Sequence, residues 1–409
     1  MTETLPEPRT DAPDFPMARS SGCPFDPPSQ LRTLQQEKPL SKVRLWDGST
    51  PWVVTRHDQL RTLLGDPRIS SDATLPGYPH RSAGSKAGEE HRRTFITMDD
   101  PDHARIRRMV TAPFAIRRME ALRPAVQTIV DDLIDAMLAG PKPVNLVQAF
   151  ALPVPSLVIC ELLGVPYEDH DFFQRNTKII VHHGSAPEAV VQALEDLADY
   201  LDRLLTAKRA NPADDLLSHL LAERVDTGEM TQRDAARMGV LLLGAGHETT
   251  ANMIALGTLA LLEHPEQLAA LRATEDPKLV AGAVEELLRY LTIAHSGRRR
   301  VALEDIEIDG ATIRAGDGVV LTGDIANRDP AAFPDPDRLD ITRDARSHVA
   351  FGFGVHQCLG QPLARLELQV VYSTLYRRIP TLALATGTDR LRFKGDGAVY
   401  GVYELPVTW

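Results

Sequence analysis

The sequence predicts a mainly α-helical fold with small β-sheets, an α+β architecture in which helices dominate. Apolar residues recur at helical spacing through most of residues 99–291 and again at 362–378. Short alternating runs bounded by Gly and Pro occur on both sides of the long helical region, at 42–55 and 301–322. The helix predicted from Thr231 to about His264 is apolar on nearly all sides, so it should lie at the centre of the molecule.

The composition is that of a globular protein, and its 409 residues are enough to enclose a cofactor. The net charge of -11, from 56 acidic and 45 basic residues, argues against a nucleic-acid partner, because phosphate contacts require a basic face. Cys23, Cys160 and Cys358 are far apart and odd in number, which indicates a reducing compartment. No run reaches the roughly 18 apolar residues of a membrane span, and no signal peptide is visible. These features predict a cytoplasmic protein without a membrane anchor.

The N-terminal part is predicted to contain a tail, a hairpin and a long loop. Residues 1–20 are rich in Pro, Glu and Asp and are predicted to be a flexible tail, followed by a single domain at 21–409. Residues 42–55 should form two short strands around an Asp-Gly turn. Residues 70–97 are polar and contain several glycines, which predicts a mobile lid.

A helix is predicted between residues 99 and 114, where acidic residues and a proline are typical of a helix N-terminus. His103 and Arg107 are four residues apart and should share one face of this helix. Two cationisable residues on one face most often contact solvent, so this pair alone identifies no site. Further helices are predicted at 120–163, with an interruption at 140–143, and at 169–208.

The middle of the central helix carries residues that burial does not explain. Gly244 and Gly246 each cost up to about 1 kcal/mol relative to Ala and predict a local break. Glu248 and Thr249 place a carboxyl and a hydroxyl in an apolar helix. A close helix crossing with a back-bonded threonine is one explanation. The other is a functional site, which Glu248 favours, because a buried carboxylate needs a partner or a purpose.

Glu286 and Arg289 are three residues apart in a helix predicted at 279–291, so they can pair along one face. In the core such a pair could hold a third cation, for which Arg338 is the predicted candidate. Beyond this helix the periodicity shortens, which predicts antiparallel strands at 301–308, 312–313 and 319–322 and a hairpin at 391–407.

Residues 351–360, Phe-Gly-Phe-Gly-Val-His-Gln-Cys-Leu-Gly, place one cysteine in a glycine-rich turn directly before a helix. An isolated cysteine such as Cys358 is most often a small buried hydrophobe. A thiolate that binds a buried metal instead needs backbone N–H groups around its sulfur, and the glycines permit the turns that aim them. His356 adds a cationisable group two residues earlier.

Together these patterns resemble a soluble bacterial, actinobacterial-like cytochrome P-450 over nearly the whole chain from about residue 20. The cysteine loop matches the family's Phe-x-x-Gly-x-His-x-Cys-x-Gly signature, residues 245–249 match Ala-Gly-x-Glu-Thr, and residues 286–289 match Glu-x-x-Arg. Each motif is weak alone, but their order and separation are specific. The resemblance implies the cytochrome P-450 fold, in which a long central helix crosses over a buried heme.

The resemblance also implies roles for individual residues toward heme b. Cys358 would be the axial ligand of the iron, whose electron donation favours cleavage of O2. The residues implied to contact the cofactor are His103, Arg107, Ala245, Gly246, Arg300, Phe351, Gly352, His356, Cys358 and Gly360. The cations among them would bind the propionates, and Ala245 and Gly246 would border the oxygen pocket. Glu286, Arg289 and Arg338 would form a structural triad behind the cysteine loop.

Thr249 and Glu248 would be the catalytic residues, since the resemblance implies that they deliver protons to O2. The implied reaction is hydroxylation or epoxidation of a lipophilic natural product or xenobiotic, with two electrons from NAD(P)H. A heme-thiolate enzyme driven by peroxide, or one that couples rings oxidatively, is an alternative. So is a non-catalytic heme protein that senses or carries a gas, although it would not need the acid and the alcohol.

The chain has no flavin or nicotinamide fingerprint, so it should not take electrons from NAD(P)H directly. The resemblance implies that a ferredoxin and its reductase supply the electrons. It also implies a monomer. A docking patch is predicted at Arg105, Arg108, Arg117, Arg118 and Arg365, unless these are ordinary solvated arginines. The substrate pocket is predicted to include Arg92, His182, Leu242, Ile293, His295 and Val399. Its cations suggest a substrate with an apolar body and a polar or acidic end, although each of them could face water.

Overall fold

The computed structural model describes residues 12–19 and 23–409. The described helices are α1 Ser29–Glu37, α2 His57–Gly65, α3 Ala83–His91, α4 Asp102–Thr111, α5 Ile116–Ala121, α6 Arg123–Ala139, α7 Pro153–Leu163, α8 His170–Val181, α9 Pro187–Ala210, α10 Leu216–Leu220, α11 Gln232–Glu263, α12 Pro265–Ala273, α13 Pro277–Leu291, α14 Gly323–Ala326 and α15 Gln361–Arg378. The strands are β1 Leu40–Lys42, β2 Trp52–Val54, β3 Ile69–Ser70, β4 Val144–Asn145, β5 Arg298–Ala302, β6 Ile306–Ile308, β7 Ala311–Ile313, β8 Gly318–Leu321, β9 Ala383–Leu384 and β10 Pro406–Thr408. The predicted fold class is confirmed.

Helix α11 is the centre of the molecule. It begins after Thr231, whose side chain accepts a hydrogen bond from the Asp234 backbone N–H, and it runs for 32 residues with α7, α9 and α15 packed around it. Twenty of its residues are buried. The predicted break is wrong, because the helix continues through Gly244 and Gly246. A Cβ on Gly246 would lie 2.8 Å from Ile159 Cγ1, so this glycine permits a close crossing with α7.

The largest sheet has the strand order β1-β2-β8-β5-β3. The predicted hairpin at 42–55 is present as the antiparallel β1–β2 pair, in which Leu40 lies opposite Val54. Strand β8 pairs with β2 in parallel and with β5 antiparallel. This pairing fixes which side chains of β5 face the interior.

The two other sheets are small. Strands β6 and β7 form a two-stranded ladder around Asp309 and Gly310, both of which have positive φ. The sheet β4-β10-β9 joins the chain end to residues far away in sequence. The predicted hairpin at 391–407 is therefore wrong in its pairing: it is reduced to one bridge between Phe393 and Val402, while β10 pairs with β4 and β9.

Two predictions about flexible segments need correction. Residues 12–19 of the predicted tail are packed: Phe15 and Met17 are buried, and Asp14 forms a parallel bridge with Arg44. The rest of that tail, 1–11 and residue 20, lies outside the described residues. The predicted lid contains helix α3, which packs against α9. Gly84 permits this contact, because a Cβ there would lie 3.1 Å from Val190 Cγ2 in α9.

In residues 12–19 and 23–409, none of the helices combines the length and the apolar character that crossing a bilayer would require.

Candidate active site

The cysteine loop, residues 351–360, has a defined turn geometry. The Cys358 backbone N–H donates to the Phe351 carbonyl oxygen at 2.8 Å, which closes the loop. Gly352 and Gly354 have φ values of 78° and 73°, in the left-handed region where side chains are disfavoured. Gly360 lies in the turn directly before α15, but its φ of -80° is open to any residue, so the turn does not require glycine there. The loop places the Cys358 sulfur beside the N-terminus of α15.

Cys358 has accessible surface, but protein atoms surround it on most sides, so this surface is not on the outside of the molecule. It therefore faces an internal space. Burial raises the pKa of the Cys358 thiol, while the Gly360 N–H and the guanidinium groups of Arg298 and Arg107 oppose that rise. Hydrogen-bond donors and cations aimed at a sulfur stabilise the thiolate that a metal binds.

Cationisable side chains gather next to this loop. The rings of His103 and His356 are 4.1 Å apart between centroids. Arg107 donates to the Gln357 carbonyl oxygen at 2.6 Å, and Arg300 is buried. Burial, together with the charges of Arg300, His103 and Arg107, lowers the pKa of His356 to about 3. This cluster therefore needs negative charge from a source outside these side chains.

Three buried nitrogen atoms of the cluster have no hydrogen-bond partner among the described residues. They are His103 Nε2, Arg298 Nη1 and His356 Nδ1. Buried donors without acceptors are costly, and two carboxylates would satisfy them with charge-assisted hydrogen bonds. The described residues also contain no group of three or more His, Cys, Asp or Glu side chains that could hold a metal. A metal at Cys358 would thus need further ligands from a cofactor, and a heme with two propionates fits both observations.

Sequence reasoning missed Arg298. Its Nη2 donates to the Ala350 carbonyl oxygen at 2.8 Å, and a Cβ on Gly352 would lie 3.0 Å from its Nε. Burial lowers the pKa of Arg298 to about 10, and Arg300 acts in the same direction. The alternation of β5 could have revealed it, because Arg298 and Arg300 share one face of the strand. Arg299 points the other way, to the carbonyl oxygens of Ser296 and Pro79.

The predicted catalytic residues, Glu248 and Thr249, each form a hydrogen bond with a residue one turn away on α11. Thr249 Oγ1 donates to the Ala245 carbonyl oxygen at 2.8 Å, and Ala245 is exposed although its helix is mostly buried. Glu248 accepts a hydrogen bond from Asn252 Nδ2 at 3.0 Å, and its Oε2 is 3.6 Å from Lys394 Nζ. Glu248 therefore has partners at the edge of the core. The close crossing and the back-bonded threonine are both present, and the exposed Ala245 marks the face that borders the internal space.

The predicted triad is wrong in its third member. Arg289 forms a bidentate pair with Glu286, at 2.7 and 2.8 Å, and both side chains are fully buried. The further cation is Arg343, whose Nε lies 3.2 Å from Glu286 Oε1. The Arg338 side chain is 64% exposed and pairs weakly with Asp340. The turn before it directs the Arg338 carbonyl oxygen toward Arg289 and its side chain toward solvent.

A second ion-pair network supports the cysteine loop and was not predicted. Glu285 accepts hydrogen bonds from Arg365 Nε at 2.6 Å and His348 Nε2 at 3.1 Å. The Arg365 guanidinium also lies over the Phe351 ring, 4.6 Å from its centroid. The only sequence signal was that Glu285 directly precedes Glu286.

This network predicts a loss of stability in acid. Burial opposes ionisation, but the hydrogen bonds from His348 and Arg365 lower the pKa of Glu285 from 4.5 to about 2. A depressed carboxyl pKa stabilises the fold fully above the unfolded value, and this contribution is lost as the pH falls through the folded value. We expect about 3 kcal/mol of unfolding free energy to disappear over that interval. Urea unfolding at a series of pH values across this interval measures the dependence of the unfolding free energy on pH. This dependence should be weaker in Glu285→Gln than in the parent, whereas Glu223→Gln, at an exposed position, should keep the dependence of the parent. Equal slopes in the parent and Glu285→Gln would contradict the assignment.

The predicted substrate-pocket residues divide into two groups. His182 and Gly397 form an isolated bridge, and the buried His295 shares a hydrogen bond with the Gly397 carbonyl oxygen at 2.9 Å. Ile293 and Val399, which are half-buried, belong to the same group, as does Leu242, which is buried in α11. Arg92 lies elsewhere, in a cavity of about 330 Å³ between α3, α4 and α11.

The predicted docking patch is only partly free. Arg108, Arg117 and Arg118 are exposed on α4 and α5, together with Ile116, which is 71% exposed. Arg365 is half-buried and its guanidinium is held by Glu285 and Phe351, so it contributes less free positive charge to this surface. Arg105 is exposed but also lines the cavity that contains Arg92.

Comparison with known proteins gives consistent matches over nearly the whole chain. Residues 26–379 match the family described as Cytochrome P450. Cytochrome P450 GfsF of Streptomyces halstedii is 60% identical over 98% of each chain, and its crystal structure has a TM-score of 0.91 over 97% of this chain and 100% of that one. Pentalenic acid synthase of Streptomyces avermitilis is 50% identical over 97% of each chain. The mycinamicin VIII C21 methyl hydroxylase of Micromonospora griseorubida is 42% identical, with a TM-score of 0.91 over 97% of this chain and 100% of that one.

Proposed function

Because the chain belongs to the cytochrome P450 family and is thus an oxidoreductase of heme-dependent type, we propose that it is a monooxygenase that binds heme b through Cys358. The substrate would be a lipophilic natural product or xenobiotic. The observation that supports this most directly is the position of the Cys358 thiol beside buried cations whose nitrogen atoms lack partners.

The residues fit a heme that supplies the iron centre at which O2 is reduced. Cys358 would bind the iron through its thiolate, which the Gly360 N–H and the closed turn to Phe351 hold in place. Arg298, His103 and His356 would bind the propionates through the nitrogen atoms that lack partners. The guanidinium groups of Arg107 and Arg300 would add positive charge there. Neutralisation of the propionates removes the cost of burying these cations.

Proton delivery would depend on α11. The Thr249 hydroxyl, now directed at the Ala245 carbonyl oxygen, can turn to donate into the internal space, because its own side chain is only half-buried. Glu248 is 18% exposed and pairs with Lys394, so it connects this helix with solvent. Glu248 would take up protons and Thr249 would position the donor beside O2.

Electrons would come from a ferredoxin reduced by its reductase. The arginines at 108, 117 and 118 are exposed next to the apolar Ile116, which suits an acidic partner with a small apolar contact. The free thiols of Cys23, Cys160 and Cys358 agree with a cytoplasmic location. A continuous apolar core that extends from Phe25 to Val407 supports one catalytic domain.

The proposed substrate class follows from chemistry and from relatives. One relative is named for the synthesis of pentalenic acid, and another is a hydroxylase solved with mycinamicin VIII. The two compounds named differ, so the relatives support oxidation of natural products, and the lipophilic character that we propose rests on the chemistry of this chain.

Turnover of the heme-loaded protein tests the function. With NADPH, a ferredoxin and a reductase, we expect a panel of lipophilic compounds to include at least one that gains a single oxygen atom from O2, while the second atom leaves as water. Product formation with peroxide alone, and none with the electron-transfer proteins, would favour the peroxide-driven alternative. Binding of O2 or carbon monoxide without any oxidised product would favour a gas-binding protein.

Thr249→Ala should separate oxygen consumption from product formation. Without the hydroxyl, we expect the product formed per NADPH to fall by roughly 10²-fold and hydrogen peroxide to rise, because proton transfer from a positioned group is lost. Heme content should stay unchanged, since the Thr249 hydroxyl bonds to the carbonyl oxygen of Ala245 in its own helix and is not among the groups proposed to hold the heme. The matched control is Thr249→Ser, which retains a hydroxyl and should keep most of the coupling. Unchanged coupling in Thr249→Ala would remove Thr249 from proton delivery.

A further inference from the structure

The cavity that contains Arg92 has an unusual charge for this protein. Its walls come from the end of α3 and the segment after it, from α4, and from the first half of α11. Four arginines line it against two aspartates, although the whole chain carries a net charge of -11. The charged lining residues are Arg92, Arg93, Arg105, Arg237, Asp102 and Asp234. The cavity is therefore a local concentration of positive charge.

Two of these arginines make no side-chain hydrogen bond with any described residue, and each has a buried nitrogen atom without a partner. The Arg92 side chain makes no hydrogen bond or ion pair with any described residue, and its Nη1 is buried without a partner. Arg237 comes no closer than 3.9 Å to the oxygens of Glu195 and Asp234, and its Nε also lacks a partner. Glu195 is already occupied, because its oxygens accept from His91 and Arg233. Burial lowers the pKa of Arg92 to about 10, and Arg237 acts in the same direction.

The other two arginines have partners of their own. Arg93 Nη2 donates to Asp72 at 2.8 Å, and Arg105 lies 3.7 Å from Asp102. The unpaired hydrogen-bonding capacity is thus concentrated at Arg92 and Arg237. A guanidinium group presents parallel N–H donors that match a carboxylate.

The remaining wall is apolar and leads toward the candidate active site. Phe95, Ile106, Met238 and Leu241 line it. Leu241 lies one turn before Ala245 on the same face of α11. The Phe95 ring is 6.4 Å from the ring of His103, which belongs to the cluster beside the cysteine loop. An occupant with an anionic end and an apolar body would match both parts of the cavity.

We propose that Arg92 and Arg237 bind the carboxylate of an amphipathic substrate, whose apolar body extends along α11 toward Ala245. This proposal rests on the proposed monooxygenase function and narrows its substrate class to lipophilic acids. The partnerless nitrogen atoms provide the donors, and the apolar wall provides the area from which water is displaced.

Calorimetric titration of the heme-loaded protein with dodecanoate and with its methyl ester tests this directly, since the two probes share the same apolar chain and the ester replaces the negative charge with one methyl group. We expect dodecanoate to bind more tightly, with a preference that weakens as salt screens the charge. Arg92→Met should weaken dodecanoate binding about 10- to 100-fold and leave the ester unaffected. Arg237→Met should act in the same direction. Arg93→Met, which removes the same charge from the neighbouring residue, should keep the preference because Asp72 already holds that guanidinium.

The outcomes are distinct from those of the function test. Equal binding of acid and ester by the parent, or an equal effect of Arg92→Met and Arg93→Met, would overturn the carboxylate site. If dodecanoate binding depends on Arg92 but the enzyme oxidises esters and never acids, the cavity would bind carboxylates without binding the substrate, and the narrowing of the substrate class to lipophilic acids would be overturned. Arg92-dependent binding with no oxidation of any compound would be a failure of the proposed function alone. If Arg92→Met is unstable, Arg92→Lys keeps the charge without the paired donors and should show an intermediate preference.

Discussion

Cys358→Ala should give a folded protein that no longer forms the red-shifted Soret band of the reduced carbon monoxide complex, the spectral property to which the family's name refers. The reason is that this band depends on a thiolate ligand, Cys358 is the one cysteine in the loop, and the imidazoles of His103 and His356 could not supply a thiolate. Monooxygenase turnover should be lost entirely. The apoprotein should remain folded, because the Cys358 side chain is exposed at an internal space and contributes little packing.

Cys160→Ala is the matched control for this experiment. Cys160 is buried in α7, where burial raises the pKa of its thiol to about 12 and keeps it inert. Its removal should cost some stability but leave the band intact. A band that persists in Cys358→Ala, or that disappears in Cys160→Ala, would contradict the ligand assignment and with it the proposed function.

The parts of the site that sequence alone could predict are those in which residue identity and short spacing decide the geometry. The loop around Cys358 needs residues with left-handed backbone conformations at two positions, and glycine is the residue that supplies them. The pairing of Glu286 with Arg289 follows from helical spacing of three residues. In both cases the relevant partners are neighbours in the chain, so local rules were sufficient.

The parts that sequence could not predict depend on how distant segments meet. Gly246 has the identity that the family motif requires, but its direction toward Ile159 is visible only once α7 and α11 are packed. The glycines at 84 and 88 were interpreted as loop residues, whereas they allow α3 to approach α9. Glycine is compatible with a turn and with a close contact, and its sequence context does not distinguish the two.

The choice between Arg338 and Arg343 shows the same limit. Both lie in the irregular segment between α14 and α15, only five residues apart, so the sequence does not decide which of them reaches Glu286. The turn at Asp335, which has a positive φ of 49°, directs the chain so that Arg338 contributes its carbonyl oxygen and Arg343 its side chain. A third cation is present beside the pair, as the sequence predicts, but the backbone path determines that it is Arg343 and not Arg338.

Arg289→Ala should be the most destabilising single change away from the cysteine loop. Arg289 is fully buried and satisfies Glu286 with two hydrogen bonds, and its Nη1 also donates to the carbonyl oxygens of Asn327 at 2.9 Å and Pro336 at 2.8 Å. Its removal would leave a buried carboxylate without its main partner, for which we expect a loss of about 3–5 kcal/mol in the free energy of unfolding.

The same change should loosen the cysteine loop. Asn327, whose carbonyl oxygen Arg289 holds, accepts a hydrogen bond through its side chain from the Val349 N–H at 2.8 Å. Val349 precedes Phe351 by two residues, so the contact between α13 and the loop passes through Asn327. We therefore expect Arg289→Ala to retain less heme than the parent at equal protein concentration.

Two further variants decide which arginine belongs to this network. Arg343→Ala should cost about 1–3 kcal/mol, because it removes a hydrogen bond to a buried carboxylate. Arg338→Ala should change stability by no more than about 0.5 kcal/mol, because its side chain is mostly exposed. Urea unfolding of the three variants and the parent measures these differences. If Arg338→Ala were as damaging as Arg343→Ala, the position of Arg338 in solvent would be wrong, and the triad that the sequence predicts would be restored.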